Sequence, residues 1–470
     1  MLQQWSGLYK DDIKQKEGMG LENNSLQDGP VFKVLLKLIV PSFITVVVSS
    51  SYSIVDGIFI GRKYGIAGNS TFSYIFILYS LVFSIACLIC QGAPSLLAIK
   101  MGENDVDGAE KILGSSICSS VIIAVIQAVL ICAGLKPMIK ILGCSEVYTG
   151  YIMQYFQVFL FFAPIYFVNH TLLYCLRSQG IIKLIFICNI GACLVNVILD
   201  PIFIIVLNGG FKGAAFATIL ANFSSMLFCI WCYTSGKAGL KIRIKYIKPD
   251  LKSTIDMIAI GGASFLTNLL YTVILVYYNK MAKFYGSIYG LAALSINSTI
   301  YKYLTVIMNA ITVGMQPVIC FNYGGKKYNR VLEALKDSMI IGMVISTICY
   351  VVVLVFANQI VGLFNSESGF IIFGGRSLRL VLLCLPLQVF YTIGVAFFQF
   401  IGKGKIATRF VFLRQVVFQI PIAFLLTSKI GVNGLWHSFW ISDLLSFVIL
   451  ALFLIYEVNC YRKRSVNSVS

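Results

Sequence analysis

Asp56 and Asp200 stand inside long apolar runs, in SYSIVDGIFIG and NVILDPIFI. An unpaired carboxylate in such surroundings costs several kcal/mol, so each must take up a proton, a cation or a hydrogen-bonding partner. Spacing supplies the partners. Tyr52 and Asp56 are four residues apart, as are Asn196 and Asp200, and Ala214 and Thr218. On a helix such pairs share a face. Pro201 follows Asp200 and frees a backbone carbonyl one turn earlier. Two carboxylates, an amide, a hydroxyl and backbone carbonyls form a hard-oxygen set suited to Na⁺ or a proton and poor for a transition metal. Two neighbouring carboxylates cannot both ionise cheaply, so Na⁺ and H⁺ would compete for Asp56, Asn196, Asp200 and Thr218.

The elements that must hold these residues are membrane helices. The chain is 58% hydrophobic and 12% charged over 470 residues, more apolar surface than a soluble fold of this size can hide. Apolar runs of about twenty residues, enough to cross a hydrocarbon core, recur at 32–60, 70–99, 112–135, 148–175, 182–207, 211–235, 255–279, 290–320, 338–360, 372–400, 407–429 and 434–457. The reading is an all-α polytopic membrane protein with twelve transmembrane helices. Residues 1–30 mix Lys with acids and have no apolar core, so they read as a cytoplasmic tail and not a signal peptide.

The net charge of +18 is topological. Most of the 37 Lys and Arg fall on the side that carries both termini, which makes that side cytoplasmic and removes nucleic acid as an expected partner. With this orientation the first, fifth and sixth spans bring Asp56, Asp200 and Thr218 to one layer, one to two turns below the outer surface. The 14 cysteines are scattered through the spans. The CxxC pairs Cys87/Cys90 and Cys229/Cys232 read as small apolar packing residues.

Landmarks recur at a fixed offset. Pro164 and Pro386, Gly92 and Gly314, Gly102 and Gly324, and Gly180 and Gly402 are each 222 residues apart. The chain therefore divides into an N-lobe at 31–236 (helices 1–6), a basic cytoplasmic linker at 237–254, a C-lobe at 255–458 (helices 7–12) and a tail at 459–470. Six spans per half makes the repeat parallel, a pseudo-two-fold arrangement of two six-helix lobes. In each half a short polar turn followed by a helix is expected within Gly92–Lys111 or Gly314–Lys336, and another turn at Gly180 or Gly402. The second half lacks the two acids: Tyr277 stands opposite Asp56, and the region of Asp200 falls near Pro421. The ion site is expected in the first half alone. Asp443, His170 and Asn169 are candidates for lining a cavity. Asp443 reads equally as the partner of a hydroxyl, and His170 reads first as an interhelical hydrogen-bond donor. Lys302, inside the eighth span, either snorkels or meets a carboxylate.

VDGIFIGRKYG (Val55–Gly65), NVILDPIFI (Asn196–Ile204), KGAAFAT (Lys212–Thr218), GMQPVICFNYGG (Gly314–Gly325) and ISD (Ile441–Asp443) resemble the MATE (multidrug and toxic compound extrusion) transporters, nearest to their bacterial DinF/MepA-like branch. The resemblance covers about residues 30–458. It implies two six-helix lobes in a V that opens to alternate sides, and export of organic cations or amphiphiles against Na⁺ or H⁺. It also implies a cation site in the N-lobe at Asp56, Asn196, Asp200, Ala214 and Thr218, with Tyr52 one turn before the first acid. Arg414 resembles an arginine of the family. No cofactor is expected beyond the coupling ion. The expected partners are a small organic substrate and the lipids of a cell membrane, and a monomer suffices because one chain holds both lobes.

Two other classes compete. A flippase for a lipid-linked saccharide, from the same superfamily, would favour a basic, hydrated cavity and extra spans. A membrane-embedded enzyme would need clustered acids or a nucleophile beside a base. Only His170 and His437 are histidines, and no paired acid motif occurs, so the chain does not read as an enzyme.

Overall fold

The computed structural model describes residues 29–142, 144, 146–285 and 288–467. Of the expected tails, residues 1–28 and 468–470 lie outside this range, whereas residues 459–467 continue the last helix instead of leaving it. Among the described residues the chain is helical throughout. The first helix, α1 (Val31–Cys90), is 60 residues long and broken at Gly65, whose φ of 59° suits a residue without Cβ. A Cβ built on Gly57 would lie 3.8 Å from the Phe72 ring, whereas fifteen residues of straight helix span about 22 Å. The chain thus doubles back at Gly65.

In the first half follow α2 (Gly92–Gly102), α3 (Val106–Ile141), α4 (Glu146–Phe161), α5 (Ala163–Ser178), α6 (Ile182–Pro201), a π-helical turn (Ile202–Val206) and α7 (Gly210–Thr234). In the second half come α8 (Leu251–Tyr285), α9 (Ile288–Gly324), α10 (Tyr328–Gly362), α11 (Ser368–Val381), α12 (Leu385–Phe400), α13 (Gly404–Phe412), a π-helical segment (Leu413–Gln419), α14 (Ile420–Ile430) and α15 (Val432–Asn467). Nine helices among the described residues are long and apolar enough to cross a membrane. Two further spans are bent pairs, 60° between Phe161 and Ala163 and 40° between Val381 and Leu385. Pro164 and Pro386 each stand at the start of the second limb, where a missing N–H costs nothing.

The short polar turn expected between Gly92 and Lys111 sits at 103–105, and its counterpart at 325–327. Glycine is needed at 92 itself for close approach, since a Cβ there would lie 2.0 Å from the Met257 carbonyl oxygen. In the second half α9 runs unbroken through Gly314 to Gly324. The linker is also more than a loop. A 3₁₀ turn at Ile244–Tyr246 lies against Gly114, where a Cβ would meet the Tyr246 carbonyl oxygen at 2.6 Å. Tyr246 Oη donates to Asp107 Oδ1 at 2.5 Å, and Arg243 Nε lies 2.5 Å from buried Glu110 Oε2. Lys111, 3.1 Å from Asp250, together with the hydroxyl and N–H of Ser253, holds the Asp250 carboxyl below the usual range.

The halves meet where α1 and α2 pack on α8 and α9. This seam is closed at the end of the bundle that bears the linker. Gly92, Gly102, Gly261, Gly314 and Gly324 each bring backbone against backbone across it. Small residues let membrane helices approach this closely and gain dispersion contacts.

A buried polar cluster and its cavity

Three elements bring the oxygen set together. Asn196 on α6 bridges the two acids: its Nδ2 donates to Asp56 Oδ1 on α1 and to Asp200 Oδ1 one turn on, both at 3.3 Å. Asp200 is 0% exposed, Asn196 2% and Asp56 6%. Thr218 Oγ1 on α7 donates to the Ala214 carbonyl at 3.0 Å. Asp200 Oδ2 and Asn196 Oδ1 are buried with no donor. Buried polar atoms are nearly always satisfied, so an orphan amide oxygen and an orphan carboxylate oxygen in a cluster of two acids fit a bound cation or a proton. Tyr52 is helical, and its side chain lies outside the described residues.

Beyond Asp200 stands a residue that the sequence did not single out. Lys63 Nζ donates to the Ile204 carbonyl and to Asn208 Oδ1, both at 2.5 Å. The π-helical turn after Pro201 misaligns its carbonyls, and at membrane depth a misaligned carbonyl needs a donor from elsewhere. Beside it Phe211 stacks on Tyr64 and Tyr151, with centroids 5.1 and 4.9 Å away, and the two tyrosines meet tilted at 5.3 Å.

Asp56 and Thr218 also face a cavity of about 330 Å³ inside the first half, within the range of small-molecule sites. Tyr79, Tyr155, Tyr166 and Arg177 line it, and so do two of the predicted residues, Asn169 and His170. Asn169 Nδ2 donates to Asn222 Oδ1 at 3.0 Å. His170 Nδ1 is 3.0 Å from the Tyr166 carbonyl, an intrahelical contact and not the interhelical one expected. Lys302 Nζ lies 4.7 Å from the centroid of Phe76, another lining residue. It meets a ring face where the sequence suggested lipid headgroups or a carboxylate.

The second half differs at the corresponding place. Asp443 neither lines this cavity nor pairs with a hydroxyl. It takes two hydrogen bonds from Arg414, Nε at 2.9 Å and Nη2 at 2.7 Å, both on Oδ1. Gly210 and Gly431 share a positive φ, 53° and 62°, and this register matches Asn222 to Asp443. The offset of the Gly180 and Gly402 turns matches Ala192 to Arg414 and Asn169 to Tyr391. Asn169, Ala192 and Asn222 line the first cavity. Their counterparts Tyr391, Arg414 and Asp443 form a packed cluster, with Arg414 Cζ 5.3 Å from the Tyr391 ring centroid. An ion pair and a ring fill the second half where the first is hollow.

The family model for MatE matches residues 41–202 and again 263–425. The two matched segments start 222 residues apart, the offset of the repeated landmarks. The chain is 24% identical over 433 residues to the multidrug export protein MepA of Staphylococcus haemolyticus, covering 92% of this chain and 95% of that protein. Among solved structures it superposes on a MATE protein in the bent conformation with a TM-score of 0.88 at 22% identity, covering 94% and 99% of the two chains. An outward-facing multidrug resistance MATE family transporter of the MOP superfamily gives 0.82 at 21% identity, covering 93% and 98%. These likenesses establish the polytopic helical fold. Two family matches that together span well over half of the chain establish the rest: this multi-pass membrane protein is a transporter, not an enzyme, and belongs to the MatE family.

Proposed function

We propose that this protein exports organic cations or amphiphiles by antiport against Na⁺ or H⁺, with the coupling ion held at Asp56, Asn196, Asp200, Ala214 and Thr218. The observation that carries the reading is Asn196 bridging two buried carboxylates while Asp200 Oδ2 and its own Oδ1 lack donors. In this reading the arm of α1 before Gly65 makes a twelfth crossing. The two halves are lobes, 31–236 and 255–458, both termini are cytoplasmic, and one chain works alone in the cell membrane. The printed names of the relatives, a multidrug export protein and a multidrug resistance transporter, support the substrate class. Coupling requires only that ion and substrate prefer different conformations. The glycine seam closes the inner end in one of them, and the ion cluster borders the cavity where substrate would sit.

The test is efflux of a fluorescent organic cation from proteoliposomes, with a Na⁺ gradient and a pH gradient imposed separately. Wild type should respond to one of them, and Asp56→Asn should not. Transport that ignores both gradients would overturn antiport and favour a lipid-linked substrate.

A further inference from the structure

The linker between the halves has two faces. One is turned to the protein: Ala238 and Leu240 are buried, and Arg243 and Tyr246 reach Glu110 and Asp107 on α3. The other is turned out. Ile244 is 87% exposed, Leu251 75% and Ile247 40%. Lys245, Lys248 and Lys252 are interleaved with them and exposed as well. Lys245 Nζ rests 4.4 Å from the Tyr246 ring centroid, and among the described residues none of these three lysines has a carboxylate partner. From Lys237 to Lys252 six basic residues meet one acid, Asp250, which Lys111 already holds. An isolated apolar residue on a surface is ordinary. Ile244, Ile247 and Leu251 instead form a short apolar edge set among unpaired cations.

This edge runs into a lipid-facing one. Leu251, Ile255 and Ile258 recur at helical spacing on α8 and are all exposed, on a helix long and apolar enough to cross a membrane. At the other end of the linker, Trp231 in the last turn of α7 is 46% exposed, with Lys237 Nζ 4.1 Å from its ring centroid. Tryptophan and lysine collect at the level of the headgroups. The linker therefore leaves one span and enters the next at the membrane surface, with Ile244 and Ile247 between. Apolar side chains at that level enter the boundary of the acyl chains, and clustered lysines there attract anionic headgroups.

We propose that the linker is a docking surface for anionic phospholipid. Headgroup phosphates sit against Lys245, Lys248 and Lys252, and Ile244 and Ile247 enter the lipid surface beneath them. The linker is then a strap, pinned to α3 by Glu110 on one face and to the membrane on the other. Neither the coupling ion nor the transported compound enters this assignment.

The test is amide hydrogen exchange of the full-length protein, read by mass spectrometry in two kinds of nanodisc. One is phosphatidylcholine alone, the other an equal mixture of phosphatidylcholine and phosphatidylglycerol. Discs expose both faces of the membrane, so the orientation of the protein does not matter. An anionic surface slows exchange nearby by depleting hydroxide, so the turns at 103–105 and 325–327, at the same end of the bundle, are the reference. Relative to them, amides of residues 244–251 should exchange about tenfold more slowly in the mixed discs, which one to two lysines at an anionic surface supply. Ile244→Ser combined with Lys245→Gln and Lys248→Gln should remove that difference between the discs. Equal relative exchange of wild type in both discs overturns the proposal, as does slowing that survives the triple substitution. Equal slowing by inorganic phosphate added to phosphatidylcholine discs would make the ligand a free anion and overturn the assignment to lipid. The wild-type comparison decides the matter even if the variant does not fold.

Discussion

Gly102 and Gly324 cross each other as counterparts in the two halves. A Cβ on Gly102 would lie 2.0 Å from the Phe321 carbonyl oxygen, and a Cβ on Gly324 would lie 2.0 Å from the Ile99 carbonyl oxygen. Ile99 and Phe321 are themselves 222 residues apart, so the contact is symmetric about the pseudo-two-fold axis.

That symmetry makes the seam sensitive to one methyl group. Gly102→Ala or Gly324→Ala forces backbone apart, and overpacking of this kind costs about 1–3 kcal/mol. The cost falls only on the state with this end closed, so the population should shift toward the open one. Spin labels at the exposed turn residues Glu103 and Lys326 should report a longer, broader distance in either variant. A distance distribution identical to that of the unsubstituted protein would show that the seam does not gate.

Asp200→Asn should leave the protein folded, because it keeps the shape of a fully buried side chain and leaves no ionisable group there to desolvate. Gradient-driven export should fall more than tenfold, a loss of about 1.4 kcal/mol or more of coupling energy. Thermal unfolding in detergent checks the first expectation and proteoliposome flux the second. Full export by this variant would remove Asp200 from the ion site.

The Arg414–Asp443 pair should behave as structure, not as a coupling site. Truncating one partner strands a buried charge and costs about 3–5 kcal/mol. Asp443→Ala and Arg414→Met should each lower the melting temperature markedly. The double variant should recover most of the loss, since no charge then remains unpaired. Additive losses in the double variant would mean that the two residues act separately.

Glu110 anchors the linker through the Lys241 N–H at 3.1 Å and the Arg243 guanidinium. Glu110→Ala should release a segment containing Lys237, Lys241, Arg243, Lys245, Lys248 and Lys252. Trypsin should then cut between the halves about tenfold faster, reporting local opening and not global unfolding. Unchanged cleavage would place the hold of the linker elsewhere, on Tyr246 and Asp107.

Much of the cluster was legible in the sequence. Each of the pairs Asn196/Asp200 and Ala214/Thr218 lies within one helix, where spacing fixes the shared face, and span direction fixes depth. Asp56 could be placed at the same depth for the same reason. Pro164 and Pro386 stood out in the sequence as landmarks of the repeat, and the structure places a bend just before each. Lys63 and Arg177 were missed because a basic residue at a helix end ordinarily reads as a topological charge, and nothing in local spacing shows that it turns inward.

The sequence by itself determined the class, the repeat and the asymmetry of the acids, because hydropathy and helical period are local properties of the chain. Tertiary structure decided the partners. That Asp443 faces Arg414 and not a hydroxyl, that Gly92 closes a seam against Met257, and that the first half is hollow where the second is filled all depend on the rotation of each helix about its own axis. Packing against distant helices sets that rotation, and the residues that fix it are far apart in the chain.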